Sequence, residues 1–246
     1  MTADAILFGM LAICALAIVI LVYRYDLYDK EPWYMALLAI VLGGAMMWAA
    51  GPAEMVTIRA LGDTGTTDGA IALVAATHEG LGKFLVVLLI ALLFRGVFND
   101  PADGIIYGSL VGLGAGLMES IALLGFGGGR SFLPPAEIVR LLGHAVFGGI
   151  TGYGLGAMVT RRRGWIAVTA LTLLAAMSLH TAWDLLALTQ PATRSAHGVL
   201  AAGVMLAGLL LYGLLVVLAA RESRRHFRPR QHHRLFGWPL DRVFRE

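Results

Sequence analysis

The chain has 246 residues, of which 58% are hydrophobic and only 14% are charged, and its formal net charge is +3. Soluble globular domains carry about 25% charged residues, so this composition excludes an ordinary soluble monomer and indicates that lipid is the main solvent. The positive charge is concentrated in residues 221–246. Because no predicted folded domain surrounds that segment, we expect no nucleic-acid partner.

Seven apolar stretches reach the roughly 17–25 residues that a helix needs to cross a membrane. In chain order, as spans 1 to 7, they are about residues 5–23, 33–50, 69–94, 103–124, 136–159, 165–188 and 196–219. Span 1 is expected to be a retained helix, because it lacks the positive start and the small-residue cleavage site of a signal peptide. The sequence therefore predicts an all-α, polytopic membrane bundle of about seven helices.

The basic residues between the spans predict the orientation of the bundle. With the N-terminus outside, only Arg59, Arg130 and Arg194 fall in outer loops, whereas the cytoplasmic side receives Arg24, Lys30, Arg95, Arg161, Arg162, Arg163 and the basic tail. The predicted topology is therefore N-out, C-in, with a transmembrane domain over residues 1–220 and a cytoplasmic tail over residues 221–246. Residues 51–68 are expected to lie along the outer surface, and the tail on the anionic inner leaflet.

Ionisable residues inside the spans point to function, because a charge at mid-bilayer costs about 2.5–3.5 kcal/mol. Counting from the outer ends, Glu79, His144 and His180 share a level roughly 15 Å below the outer boundary at 1.5 Å per residue. This coincidence predicts one site in the outer half of the bilayer. The ionisable residues are His78, Glu79 and Lys83 in span 3, Glu119 in span 4, Arg140 and His144 in span 5, and His180 and Asp184 in span 6.

Local spacing adds detail to this predicted site. His180 and Asp184 are four residues apart on one helical face, where a carboxylate can orient an imidazole, and Glu79 and Lys83 are spaced in the same way. Arg140 lies near the outer interface and is expected to be structural. Small-residue stripes on spans 4 and 5 should let these two helices approach closely. The stripes consist of Gly108, Gly112 and Gly116 on span 4, and Gly148 and Gly152 on span 5.

The same residues lie in short motifs distributed from the first cytoplasmic loop through span 6. The motifs are Tyr25-Asp26-Leu27-Tyr28-Asp29-Lys30-Glu31-Pro32-Trp33, His78-Glu79-Gly80-Leu81-Gly82-Lys83, Asp103-Gly104-Ile105-Ile106-Tyr107-Gly108, Glu119-Ser120, Gly143-His144 and His180-Thr181-Ala182-Trp183-Asp184. In order and position they resemble the PrsW family of intramembrane proteases, which is distantly similar to the CAAX-protease and bacteriocin-processing group. The sequence departs from the family pattern at Gly80, which replaces the second Glu of Glu-Glu-x-x-Lys, and at Ala115 and Ser120.

The resemblance implies an intramembrane endopeptidase that is metal-dependent or glutamate-dependent. In the first form, His144, His180 and either Glu119 or His78 bind Zn²⁺, and Glu79 is the general base. In the second form, Glu79 activates water directly and the two histidines stabilise the oxyanion. In both forms Asp184 orients His180. The resemblance also makes His78 and Lys83 candidate catalytic residues, with Lys83 spaced to pair with Glu79 and His78 as the adjacent polar group in place of the missing second Glu. The implied substrate is a membrane-anchored protein cut near its extracytoplasmic boundary, and the implied location is a bacterial cytoplasmic membrane.

Three other functions are compatible with polar residues inside the membrane. A transporter or proton relay would require a continuous polar path across the bundle. A haem protein would use His144 and His180 as axial ligands. A family member without catalytic activity would serve as a membrane scaffold, which the substitution at Gly80 makes conceivable.

Overall fold

The structure, a computed structural model, describes residues 3–24, 30–62, 67–126, 132–160, 162–188 and 194–226. These residues form seven helices and no strand. Each helix is long and apolar enough to cross a membrane, which confirms the predicted seven-helix bundle. The N-out, C-in orientation remains a prediction. The helices are α1 (Ala3–Arg24), α2 (Trp33–Leu61), α3 (Asp68–Leu93), α4 (Pro101–Phe126), α5 (Pro135–Val159), α6 (Trp165–Leu188) and α7 (Arg194–His226).

Local chemistry explains where several helices begin and end. α3 begins after Thr67, whose hydroxyl oxygen accepts a hydrogen bond from the backbone N–H of Ala70 at 3.3 Å. α4 and α5 begin at Pro101 and Pro135, where a residue without a backbone N–H breaks no helical hydrogen bond. α2 stops before Gly62, whose φ of +83° is a conformation that glycine adopts without a steric penalty.

α2 is longer than the predicted span. Residues 51–61 were expected along the outer surface, but they continue α2 as far as Leu61, past Pro52. A proline in a membrane helix frees one backbone carbonyl, which neighbouring groups can satisfy. The 29 residues of α2 are about 44 Å long at 1.5 Å per residue. Since the hydrocarbon core is roughly 30 Å thick, α2 is long enough both to span it and to carry residues 51–61 along the first half of α3.

α7 is also longer than predicted. It continues to His226, so residues 221–226 extend the last helix beyond the predicted boundary at residue 220. The remainder of the basic tail, residues 227–246, lies outside the described residues, as do residues 25–29 of the first motif. The division into a transmembrane domain and a cytoplasmic tail therefore remains a prediction.

α4 and α5 form the centre of the bundle. In the 18-residue apolar stretch of each of these two spans, 72% and 78% of the residues are buried, against 17–33% in the corresponding stretches of the other five. Glycines line the contact between them. A Cβ atom at Gly104, Gly108 or Gly112 would overlap a carbonyl oxygen of α5, and one at Gly148 or Gly152 would overlap a carbonyl oxygen of α4. The predicted small-residue stripes are therefore the surfaces on which the two backbones meet.

Polar contacts show which helix ends lie together at the end of the bundle away from the predicted site. The Tyr107 hydroxyl near the start of α4 donates to the carboxylate of Glu31, which precedes α2. Arg162, just before α6, pairs with Glu222 near the end of α7. With the predicted orientation this end of the bundle is the cytoplasmic one.

Candidate active site

The carboxylate of Glu79 lies at the centre of a buried group of nitrogen atoms. Glu79 is 4% exposed, and its Oε2 atom lies 2.9 Å from Nζ of Lys83, one turn further along α3. The same oxygen lies 3.6 Å from His144 Nδ1 on α5 and 3.8 Å from His180 Nε2 on α6. α3, α5 and α6 thus bring polar side chains to one carboxylate, at the depth that was predicted by counting residues from the outer ends of the spans.

The depth of this group follows from the helix bounds. Glu79 lies eleven residues after the first residue of α3, which is about 16 Å along the helix axis. His144 lies nine residues after the first residue of α5, which is about 14 Å. With the predicted orientation, both residues lie below the outer boundary of the hydrocarbon core.

His144 is held by Glu119 at its Nε2 atom, and Glu119 is in turn held by Arg140. Its Nε2 lies 2.8 Å from Glu119 Oε2, and the other oxygen of Glu119 lies 3.3 Å from Arg140 Nε. Arg140 also pairs with Glu137. An imidazole that donates its Nε2–H to a carboxylate presents an unprotonated Nδ1. The Nδ1 of His144 is buried and has no hydrogen-bond partner among the described residues, and it is the nitrogen that faces Glu79.

His180 is positioned by its own helix and by α5. Its Nε2 lies 3.4 Å from Oδ2 of Asp184, one turn further along α6. The His180 ring packs against His144, with 5.2 Å between ring centroids and 74° between planes, and against Phe147, with 5.5 Å and 35°. The aromatic contact on one side and the carboxylate on the other restrict the rotation of the imidazole.

His78 is not part of this group. Its Nε2 lies 3.2 Å from Oγ1 of Thr57 on α2, and its Nδ1 lies 2.9 Å from the carbonyl oxygen of Val74. Both ring nitrogens are therefore engaged between α2 and α3.

Glu54 is a carboxylate near the site that the sequence analysis does not identify. It lies on residues 51–61 of α2, the segment predicted to lie along the surface. It is half-buried and interacts electrostatically with Glu79, Glu119 and Lys83. Its Oε1 atom is shielded from solvent and has no hydrogen-bond partner among the described residues.

The geometry of Glu79, His144 and His180 suits a metal ion. One ligand atom from each of them lies within 4.8 Å of the other two, and no other described residues form such a group. Ligands at about 2.0–2.2 Å from a tetrahedral zinc ion lie about 3.4 Å apart, and imidazole and carboxylate are both zinc ligands. The observed separations of 3.6 and 3.8 Å from Glu79 Oε2 are close to that spacing. Glu119 is outside the group and contacts it through His144.

Gly80, the departure from the family pattern, faces α6 rather than the Glu79 carboxylate. A Cβ atom at this position would lie 2.6 Å from Cγ of Met177. The space is therefore filled by a methionine side chain from the neighbouring helix. The missing second glutamate leaves the contacts of Glu79 with Lys83 and the two histidines in place.

Comparison with known proteins gives the same family as the motifs. Residues 31–218 match the family described as PrsW family intramembrane metalloprotease. Protease PrsW of Bacillus subtilis (strain 168) is 27% identical over 164 residues, which are 66% of this chain and 73% of that protein. No solved structure matches the chain. The family match includes every helix that contributes to the site, and seven spans make the protein an integral membrane protein. The chain therefore belongs to the PrsW family of intramembrane metalloproteases.

Proposed function

We propose that the protein is an endopeptidase that cuts a membrane-anchored protein near its extracytoplasmic boundary, with Glu79 as the central catalytic residue. The observation that carries the proposal is the convergence of Lys83 Nζ, His144 Nδ1 and His180 Nε2 on one buried oxygen of Glu79. Peptide hydrolysis needs an activated water, stabilisation of the oxyanion and a proton donor for the leaving amine. A carboxylate beside two imidazoles and an ammonium group offers this chemistry in one buried place.

Glu79 moves the proton in this mechanism. The Oε1 oxygen of its carboxylate, rather than the Oε2 oxygen that faces the two histidines, takes a proton from the attacking water and delivers it to the leaving nitrogen as the peptide C–N bond breaks. The ammonium group of Lys83, at 2.9 Å, offsets the charge of the carboxylate in its buried position. Asp184 lies 3.4 Å from Nε2 of His180, the same nitrogen that faces Glu79, so it would accept a hydrogen bond from Nε2–H in the metal-free form and would lie beside the ion in the metal-bound form.

The donor set supports the metal-dependent form over the metal-free form. With its Nε2–H directed at Glu119, a neutral His144 presents a lone pair at Nδ1, which can bind a cation but cannot donate a hydrogen bond to an oxyanion. His144 Nδ1, His180 Nε2 and Glu79 Oε2 would hold a Zn²⁺ ion. A bound Zn²⁺ ion would polarise the scissile carbonyl group. In this assignment Glu119 orients His144 and does not bind the ion.

The location of the cut follows from the depth of the site and the predicted orientation. With the N-terminus outside, Glu79 lies on the extracytoplasmic side of the bilayer centre, so the substrate is cut near its outer membrane boundary. The family match and the bacterial relative support a bacterial cytoplasmic membrane as the location of the protein. The lipid bilayer and a membrane-anchored protein substrate are the two partners that this function requires.

Replacing both metal-binding histidines is expected to remove the metal. The zinc content of the purified His144→Ala, His180→Ala double variant should fall to background, because two of the three proposed ligands are lost. The measurement is elemental analysis of protein purified without chelators. His78→Ala is the matched control, since this histidine contacts Thr57 instead of the site and its loss should leave the zinc content unchanged. Equal zinc in the double variant and the unaltered protein would contradict the metal assignment.

Arg140 is expected to act on the metal through Glu119 and His144. Arg140→Gln removes the guanidinium that holds Glu119, and loss of such an outer partner lowers metal affinity by about 10–100-fold. Titration with Co²⁺, followed by its visible absorption, measures the affinity directly. Arg162→Gln removes an arginine at the other end of the bundle and is the control. An unchanged Co²⁺ affinity in Arg140→Gln would show that this arginine has no positioning role.

The alternative functions receive less support from the described residues. On α4, the buried side chains between the polar inner end and the site include Leu110, Val111 and Leu113, and the hydroxyl of Ser109 contacts Tyr212 of α7 at 3.1 Å. Axial haem ligation by His144 and His180 would require a flat macrocycle between the two imidazoles. The Glu79 carboxylate lies within 3.6 and 3.8 Å of both rings and takes up that space.

A further inference from the structure

Glu54 is a carboxylate that the proposed mechanism does not use. Three carboxylates near it already have partners: Glu79 is paired with Lys83, Glu119 with Arg140 and His144, and Asp184 is beside His180. Glu54 is different, because its Oε1 is buried and accepts no hydrogen bond from any described residue. A buried carboxylate oxygen without a donor is unfavourable unless a ligand supplies one.

Two contacts between α2 and α3 fix the level of Glu54. Thr57 contacts His78 at 3.2 Å, and further inward the side chain of Met46 packs against Gly82. The two helices run in opposite directions, so Glu54, which lies between Met46 and Thr57, is level with the residues between His78 and Gly82. This is the level of Glu79. Residues 51–61 of α2 therefore lie beside the part of α3 that carries Glu79.

Carboxyl groups outnumber the lysine and arginine side chains around the site, which favours a further cation. The two cationic side chains are Lys83, which pairs with Glu79, and Arg140, which pairs with Glu119 and Glu137. Glu54 has no such partner on its shielded Oε1 atom.

We propose that Glu54 binds a cationic nitrogen beside the cleaved bond, which selects substrates where that nitrogen belongs to a side chain and holds the product where it is the new amino group. The inference rests on the proposed protease function and adds a binding residue to its site. The nitrogen has two sources in a membrane-anchored protein, namely a Lys or Arg side chain at the outer boundary or the amino group that hydrolysis creates. Both are ammonium or guanidinium groups that a buried carboxylate binds by charge-assisted hydrogen bonds.

The experiment measures the binding of three synthetic single-span peptides to the full-length protein in lipid nanodiscs. The first peptide has a lysine at its outer boundary and an acetylated N-terminus, and the second has glutamine in place of the lysine. The third lacks lysine and begins at the boundary with a free amino group. The peptide bonds at the boundary are N-methylated to prevent hydrolysis, and each peptide carries a fluorophore at its cytoplasmic end.

The lysine peptide or the free-amine peptide is expected to bind roughly tenfold more tightly than the neutral peptide, as a hydrogen bond between charged partners implies. Which of the two binds tightly identifies the source of the nitrogen. The preference should disappear in Glu54→Gln, which keeps the size of the side chain, and should persist in Glu222→Gln, which removes a carboxylate at the other end of the bundle. Binding of the neutral peptide, equal in all three proteins, verifies that the variants are folded.

Equal affinity of the unaltered protein for the three peptides overturns the inference, and so does a preference that survives Glu54→Gln. Failure of the proposed function gives a different result. In that case Glu79 variants retain full proteolysis in cells, whatever the peptides show. A protein that needs Glu79 for cleavage but shows no cation preference would keep the proposed function and lose only the assignment of Glu54.

Discussion

Replacing Glu79 with glutamine is expected to lower proteolysis by at least about 100-fold, since removal of a general acid–base typically costs 10²–10⁴-fold. The amide keeps the shape of the side chain but cannot take a proton from water. Because the substrate is unidentified, the measurement compares cells that express the unaltered protein with cells that express the variant. Mass spectrometry of membrane-protein fragments released to the extracytoplasmic side gives the readout.

Lys83 complicates the interpretation of this variant. Its side chain is 2% exposed and pairs with Glu79 at 2.9 Å, so Glu79→Gln leaves an ammonium group buried without its carboxylate. Removing one partner of a buried ion pair costs about 3–5 kcal/mol, which can unfold a protein without saying anything about chemistry. The Glu79→Gln, Lys83→Met double variant avoids this problem because it buries no charge. It should fold like the unaltered protein and still fail to cleave.

The Glu79→Gln, Lys83→Met double variant tests whether Glu79 is catalytic. If it is folded in detergent and releases the same fragments as the unaltered protein, Glu79 is not catalytic. Glu222→Gln serves as the control for loss of a carboxylate, because Glu222 pairs with Arg162 at the opposite end of the bundle. That variant should release the full set of fragments.

The central part of the site was predictable from sequence because it depends on two simple quantities. Ionisable side chains in apolar helices are costly and therefore rare, and the number of residues from a helix end gives depth. Glu79, His144 and His180 are each about eight to eleven residues from the ends of their helices, and the structure brings them together. The glycine stripes likewise identify the face on which α4 meets α5.

The parts that escaped prediction depend on contacts between helices. Glu54 was overlooked because Gly51 and Pro52 resemble the end of a helix, whereas α2 continues past them as part of the bundle. The position of Arg140 four residues before His144 places both on one face of α5, a signal that could have linked it to the site. Its bond to Glu119 requires the approach of α4 and α5, which sequence spacing within one helix cannot give.

Glu119 and His78 show the same limit. Both were considered as the third metal ligand, and spacing along the chain does not distinguish them. In the structure Glu119 faces His144 from α4, while His78 faces Thr57 on α2.

Gly112→Ala is expected to damage both the fold and the site. An added Cβ would overlap the backbone carbonyl oxygen of His144, and a backbone atom cannot move aside without separating α4 from α5. Overpacking of this kind usually costs about 1–3 kcal/mol and sometimes more. We expect a clear fall in the midpoint of thermal unfolding in detergent, with loss of Co²⁺ binding, because His144 lies at the contact itself. The two readouts should change together.

Gly213→Ala and Gly116→Ala are the matched controls, because each adds the same methyl group in a different environment. Nothing lies within 4 Å of a Cβ at Gly213 in α7, so Gly213→Ala should be stable, and the helix propensity of alanine favours it by about 1 kcal/mol. At Gly116 the new atom would lie 3.2 Å from Cβ and 3.3 Å from Cγ of His144, which is a side chain that can yield by a few tenths of an ångström. Gly116→Ala should therefore lower Co²⁺ affinity while leaving the unfolding midpoint close to that of the unaltered protein.

If all three variants unfold and bind Co²⁺ alike, the close approach of α4 and α5 does not position His144. A graded series, with Gly213 unaffected, Gly116 altered in binding alone and Gly112 altered in both, would show that the glycine contact places the imidazole beside Glu79.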